Sequence, residues 1–221
     1  MIEERTRETI DTYNKAAEKY QDKFMDMDLY DDTFNRFCSL IEKPKADILD
    51  IATGPGNVAK YLCSKRSDFK VLGIDLSSNM IELARKNVPQ AKFAVMDCRN
   101  ISTISHKFDA VMCAFGLPYL SKEESRKLIS DAHLLLNPGG ILYISTMEGD
   151  YARSGFETTS FSGQNRVFIY YHQEKFLTDC LRDTGFEIVD LQRKDYPEPD
   201  GTFLTDIILI AKLPATCPSI L

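Results

Sequence analysis

The sequence predicts an α/β fold with a mostly parallel sheet, and three features lead to that expectation. From Ala46 onward, short apolar runs alternate with amphipathic helical stretches. Those runs are continuously hydrophobic, as strands covered by helices on both faces must be. Near the carboxyl end, two strand-like runs are joined by a loop too short for a crossover helix, so the last strand should be antiparallel.

Taken in order, the first 45 residues carry two stripes at helical spacing. Ile10, Tyr13, Ala17 and Tyr20 form one, and Phe34, Phe37 and Ile41 the other, with the acidic stretch Asp22 to Asp32 between them. They predict two helices, a cap (1–45) on a core spanning 46–212. Strands are expected at Ile48 to Ile51, Val71 to Ile74, Phe93 to Met96, Ala110 to Cys113 and Ile141 to Ile144. Between the last two, a helix from Lys122 to Leu136 opens with the capping box of Ser121 and Glu124. It buries Leu128, Ile129, Ala132, Leu135 and Leu136 and stops at Asn137-Pro138-Gly139-Gly140.

An insertion, Glu148 to Tyr171, follows. Phe156 to Phe161 and Arg166 to Tyr171 have strand composition around the turn residues Ser162 to Asn165, predicting a hairpin over the mouth of the site; the competing reading is a homodimer contact. A helix from Gln173 to Thr184, ended by Gly185, leads to strands at Phe186 to Leu191 and Thr205 to Ala211, then a short tail (213–221).

With 221 residues, one well-cored domain is expected. The net charge of −6, with basic residues only in small separated clusters, argues against a nucleic-acid partner. The longest apolar run, Ala110 to Phe115, is too short for a membrane span, and the charged amino terminus lacks the apolar core of a secretory signal. Six cysteines are scattered without a Cys-x-x-Cys pair, so neither a metal site nor a disulfide framework is expected and a reducing cytoplasm is the natural setting.

The chemistry concentrates at strand ends. Asp50-Ile51-Ala52-Thr53-Gly54-Pro55-Gly56-Asn57 follows the first strand and opens a helix, where a glycine turn admits close approach of a ligand. The second strand ends in Asp75, suited to accept hydrogen bonds from both hydroxyls of a ribose, and the third in Asp97. Gly54-x-Gly56-x-x-Ala59 with a later aspartate also fits an NAD(P)-dependent oxidoreductase. Asp50 weighs against that reading, because a pyrophosphate seeks backbone N–H groups away from negative charge. S-adenosylmethionine has a sulfonium and an ammonium and no phosphate, so it would gain from that carboxylate. A non-catalytic cofactor-binding or scaffold protein is the third reading.

Asp50 to Asn57, Gly73 to Ser77, Val95-Met96-Asp97, Phe108 to Val111 and Leu136 to Gly140 resemble, in order and spacing, the successive motifs of class I S-adenosylmethionine-dependent methyltransferases. The resemblance runs from about Tyr13 to Lys212. It implies a Rossmann-like three-layer sandwich with a seven-stranded sheet ordered 3-2-1-4-5-7-6, strand seven antiparallel. It implies that Asp50, Thr53, Gly54 and Gly56 face the methionine end of the cofactor. Asp75 would hold the ribose, with Leu76 and Met80 beside the adenosine. Asp97 would accept from the adenine amino group, Cys98 and Arg99 would flank the ring, and Ala114 and Phe115 would border the reacting methyl. Tyr13 and Tyr20 match a Tyr-x(6)-Tyr segment that lies over the cofactor in small-molecule members. One departure is Ala52-Thr53, where Gly or Cys is frequent.

The implied reaction is in-line methyl transfer to a small-molecule acceptor, chiefly a matter of placement and exclusion of water. No residue is strongly marked as a general base. Tyr13, Tyr20, Tyr119 and His172 are the candidates, and Phe115-Gly116-Leu117-Pro118-Tyr119 lacks the signature of enzymes that methylate planar amino groups.

Overall fold

Alternate residues of a strand face opposite sides of its sheet, and in this protein both sides are apolar. The computed structural model describes residues 4–159, 163–198 and 201–215. Strands β1 (Asp47–Ile51), β2 (Lys70–Asp75), β3 (Lys92–Val95), β4 (Phe108–Ala114) and β5 (Leu136–Met147) are parallel neighbours in the order β3-β2-β1-β4-β5. Leu49, Ile51, Val111, Leu142 and Ile144 point to one side, where they join a buried cluster with helices α6 (Lys122–Leu135) and α7 (Glu174–Asp183). Ile48, Ala110, Met112, Ile141 and Tyr143 point to the other, against α3 (Asp31–Leu40), α4 (Asn57–Lys65) and α5 (Ser78–Asn87). Helices on both faces make three layers.

Two short strands, β6 (Gly155–Thr158) and β7 (Arg166–Ile169), form a separate antiparallel hairpin. The sheet then resumes with β8 (Glu187–Pro197) and β9 (Phe203–Lys212), and β9 inserts antiparallel between β5 and β8. With the hairpin set aside, the order is the expected 3-2-1-4-5-7-6 with the seventh strand reversed.

Three local expectations need correction. The stripe from Ile10 to Tyr20 is two helices, α1 (Glu4–Lys15) and α2 (Ala17–Phe24), so three helices precede the sheet. The break is at Ala16, which leaves the helical region at φ −115° and ψ 20° while its neighbours keep the same apolar phase. Asn137 to Gly140 ends α6 but is also strand: Leu136 already pairs with Phe108, and a register shift before Ala110 absorbs the turn residues. The last two strands are longer than their apolar cores, because hairpin pairing carries them past the sheet body to Pro197 and Phe203. By contrast, Ser121 and Glu124 form the expected reciprocal cap, at 2.8 and 3.2 Å. Phe161 and Ser162 of the insertion, and Cys217 in the tail, lie outside the described residues.

The hairpin packs on α1. Thr9 Oγ1 accepts from the Phe168 N–H at 3.1 Å, the Thr12 hydroxyl donates to the Arg166 carbonyl at 2.8 Å, and Arg166 pairs with Glu8. Among the described residues no helix is long and apolar enough to cross a membrane.

Candidate active site

The carboxyl ends of β1, β2, β3 and β4 meet a cavity of about 950 Å³ with its open mouth, roofed by α1 and the hairpin. Tyr20, Gly54, Asp75, Leu76, Met80, Asp97, Cys98, Arg99, Ala114 and Phe115 all line it. Asp50, Thr53 and Gly56 do not; they build the wall behind it. Asp50 is buried and accepts the Thr53 hydroxyl at 2.5 Å. Gly56 precedes α4 at φ +90°, and a Cβ there would press on Ala84 and Val88 at 3.2–3.3 Å. Gly73 has a different constraint: a Cβ would meet the Phe93 ring at 2.6 Å and Thr53 Oγ1 at 2.8 Å.

Two strand ends hold strained backbone. Ala52 after β1 and Phe115 after β4 adopt φ 56° and 59°, a region that costs a side-chain-bearing residue energy, and both border the cavity. The Phe115 N–H is held by Ser145 Oγ at 3.0 Å. Ala52 thus keeps a conformation in which glycine would be unstrained.

Asp75 is the best-organised acceptor. Its Oδ2 takes the Gly54 N–H at 2.9 Å and its Oδ1 takes the Ser77 N–H at 2.8 Å. A carboxylate has about four lone-pair sites, so these bonds orient the group and leave capacity for a ligand. Burial raises its pKa. The glycine loop meanwhile spends its own donors internally, Gly54 N–H on Asp75 and Gly56 N–H on the Thr53 carbonyl. Asp97 is more committed: it accepts from the Arg99 backbone and guanidinium at 2.9–3.0 Å, and Arg99 also reaches Glu124.

A second cavity, about 1610 Å³ with its open mouth, adjoins the first. Tyr13, Tyr20, Ala52, Ala114, Phe115 and Tyr119 border both. Tyr13 meets Tyr20 and Tyr119 edge-on, with ring centroids at 5.7 and 5.4 Å, and its hydroxyl hydrogen-bonds that of Tyr119. Burial pushes all three phenols up, Tyr119 to about 12, so at neutral pH they stand protonated. His172 lies outside both cavities. It is fully buried, its Nε2–H donates to the carbonyls of Leu117 and Leu120 at 3.2 and 3.1 Å, and burial lowers its pKa. Its role is to hold the turn that carries Tyr119.

Tyr170, one of the aromatics that the sequence places in the insertion beside the site, lines the first cavity, as does Ile10 of the first stripe. Arg5, Thr6 and Thr9 of α1 and Phe168 of the hairpin, which the sequence does not mark, complete it. Nothing in their spacing marks them; they arrive because α1 and the hairpin pack together. The second cavity was equally hidden, since its wall comes from segments scattered from Tyr13 to Asp206.

Desolvation raises the Asp50 carboxyl to about 7, above its ordinary 3.8. The ligand-free folded chain therefore keeps a proton that the unfolded chain has released. That contribution is full below about pH 4 and is lost as the pH rises through 7. Asp50→Asn should flatten the decline in melting temperature between pH 5 and pH 8, measured by scanning calorimetry. An unchanged pH profile would show that Asp50 ionises normally.

The methyltransferase domain model matches residues 48–140. A demethylmenaquinone methyltransferase of Thermotoga maritima is 31% identical over 135 residues, 60% of this chain and 58% of that protein. An uncharacterized methyltransferase of Oceanobacillus iheyensis is 27% identical over 86% of this chain and 83% of its own length. The Synechocystis magnesium protoporphyrin IX methyltransferase, solved with bound S-adenosylmethionine, superposes with a TM-score of 0.71 at 18% identity, covering 96% of this chain and 98% of its own. The ordered motifs and these matches agree on a methyltransferase domain model over residues 48–140, and the sheet with its reversed seventh strand has the fold of the superposed methyltransferase.

Proposed function

We propose that the first cavity binds S-adenosylmethionine and that the second holds a small-molecule acceptor, with methyl transfer at their shared wall. The observation that carries this reading is Asp75, fixed by two backbone N–H groups at the cavity wall beside a glycine loop whose Gly54 and Gly56 N–H groups are already used. Such a site suits ribose hydroxyls and a cationic methionine end, and it is poor for a pyrophosphate.

The proposed roles follow the lining. Asp75 accepts from the ribose. Leu76 and Met80 pack on the adenosine, with Asp97, Cys98 and Arg99 around the adenine. Tyr20, Gly54, Ala114 and Phe115 enclose the methionine end, with Asp50 and Thr53 stiffening the loop behind it. When bound, S-adenosylmethionine supplies a methyl group on a sulfonium that a nucleophile displaces in line. The chain itself orients and desolvates: the three tyrosine rings exclude water at the shared wall and present their π faces to positive charge. Of the Tyr13–Tyr119 hydroxyl pair, the member that accepts the shared hydrogen bond can turn its own proton to an acceptor heteroatom. The first helices and the hairpin act as the cover through which an acceptor enters.

A small organic acceptor is supported by the aromatic second cavity and by the names of the Thermotoga and Synechocystis proteins, whose acceptors are small molecules. The described cysteines are all free thiols, which fits a reducing compartment such as the cytoplasm. Mass spectrometry of small molecules released from the purified protein tests the cofactor assignment. S-adenosylmethionine or S-adenosylhomocysteine is the expected species, and a nicotinamide dinucleotide in its place would contradict the reading.

A further inference from the structure

The second cavity has an acid at its far wall. Asp206, on β9 opposite Met147 of β5, is 3% exposed and still lines the cavity. Tyr30 donates to its Oδ2 at 2.6 Å, and among the described residues no other group donates to the carboxyl. A buried carboxyl with one donor is incompletely compensated. The Tyr30 ring in turn meets Phe115 edge-on at 5.0 Å, linking this wall to the border with the first cavity. By ideal sheet spacings, two strand steps and two residues separate Ala114 from Asp206, about 12 Å between Cα atoms.

The surroundings sort the possible ligands. Glu157 and Glu198 also border the cavity, against one lining cation among the described residues, Arg153, whose guanidinium covers the Tyr171 ring at 4.8 Å. An anionic acceptor would meet net repulsion. Tyr30, Phe34 and Phe115 line it with aromatic rings, a residue type that attracts cations as well as apolar bodies.

We propose that Asp206 is the specificity-determining residue of this cavity and that the acceptor carries a protonated amine on an apolar, ring-sized body. The inference rests on the second cavity being the acceptor site. The amine takes the carboxyl's open positions, while the remainder of the acceptor fills the aromatic chamber toward the tyrosines.

Three probes of one shape separate the chemistries: 2-naphthylmethylamine, 2-naphthylmethanol and 2-naphthoate. Their affinities are measured by calorimetry on the full chain, with and without S-adenosylhomocysteine, for the parent protein and Asp206→Asn. The amine should bind at least about tenfold tighter than the alcohol, the scale of one charge-assisted hydrogen bond, and naphthoate weakest. Asp206→Asn should reduce the amine's advantage to within about threefold while leaving S-adenosylhomocysteine affinity unchanged. Equal binding of amine and alcohol, failure of all three to bind, or an advantage that survives in Asp206→Asn would overturn the proposal. Loss of S-adenosylhomocysteine binding in the parent protein would instead defeat the cofactor assignment, whatever the amine does.

Discussion

Asp75→Ala is expected to weaken S-adenosylhomocysteine binding by roughly 2–4 kcal/mol, about 30- to 700-fold. The carboxylate is pre-oriented by Gly54 and Ser77, so a ribose would find both oxygens in place and two charge-assisted bonds would be lost together. The substitution also strands the Gly54 N–H. Asp97→Ala should cost far less, because Asp97 is already engaged by Arg99 and would offer the adenine amino group one bond. Calorimetric titration of both variants measures the difference. Small and equal losses would place the ribose elsewhere in the cavity.

Phe37→Ala is expected to destabilise the fold by about 3–5 kcal/mol, the usual cost of deleting a fully buried aromatic side chain. Phe37 is 0% exposed on α3 and meets Tyr143 of β5 edge-on at 5.9 Å, beside Ile48 and Met112 in the same buried cluster. Although α3 belongs to the segment read from sequence as a cap, it closes one face of the sheet. Urea unfolding should show a lower midpoint with an unchanged slope. A loss below about 1 kcal/mol would mean that α3 detaches without disturbing the core.

Strands and helices with a strong apolar phase were legible in the sequence for a physical reason: burial on both faces leaves continuous runs such as Ala110 to Cys113, and a capping box leaves a fixed spacing. Asp75 and Asp97 were legible because each ends such a run. The break at Ala16 was not, since both halves of the stripe keep one phase across it. The use of Asn137 to Gly140 as strand was hidden because β4 pairing decides it, and their composition signals only a turn. His172 drew attention as an imidazole near a helix start, whereas its partners are carbonyls distant in sequence. Asp206 did leave a trace, a lone acid inside the apolar run Thr205 to Ala211. Such an acid is costly in a buried strand, and only the neighbouring cavity shows what it faces.

The central claim, a site built for a cationic nucleoside without phosphates, is tested most directly by ligand-dependent melting of the purified chain. S-adenosylhomocysteine at about one hundred times its dissociation constant should stabilise the fold by about 2.7 kcal/mol through mass action. NAD, NADP and ATP at the same concentrations should leave the melting temperature unchanged, because the Gly54 and Gly56 N–H groups are spent within the protein and Asp75 repels phosphate. A shift with NAD and none with S-adenosylhomocysteine would contradict the account.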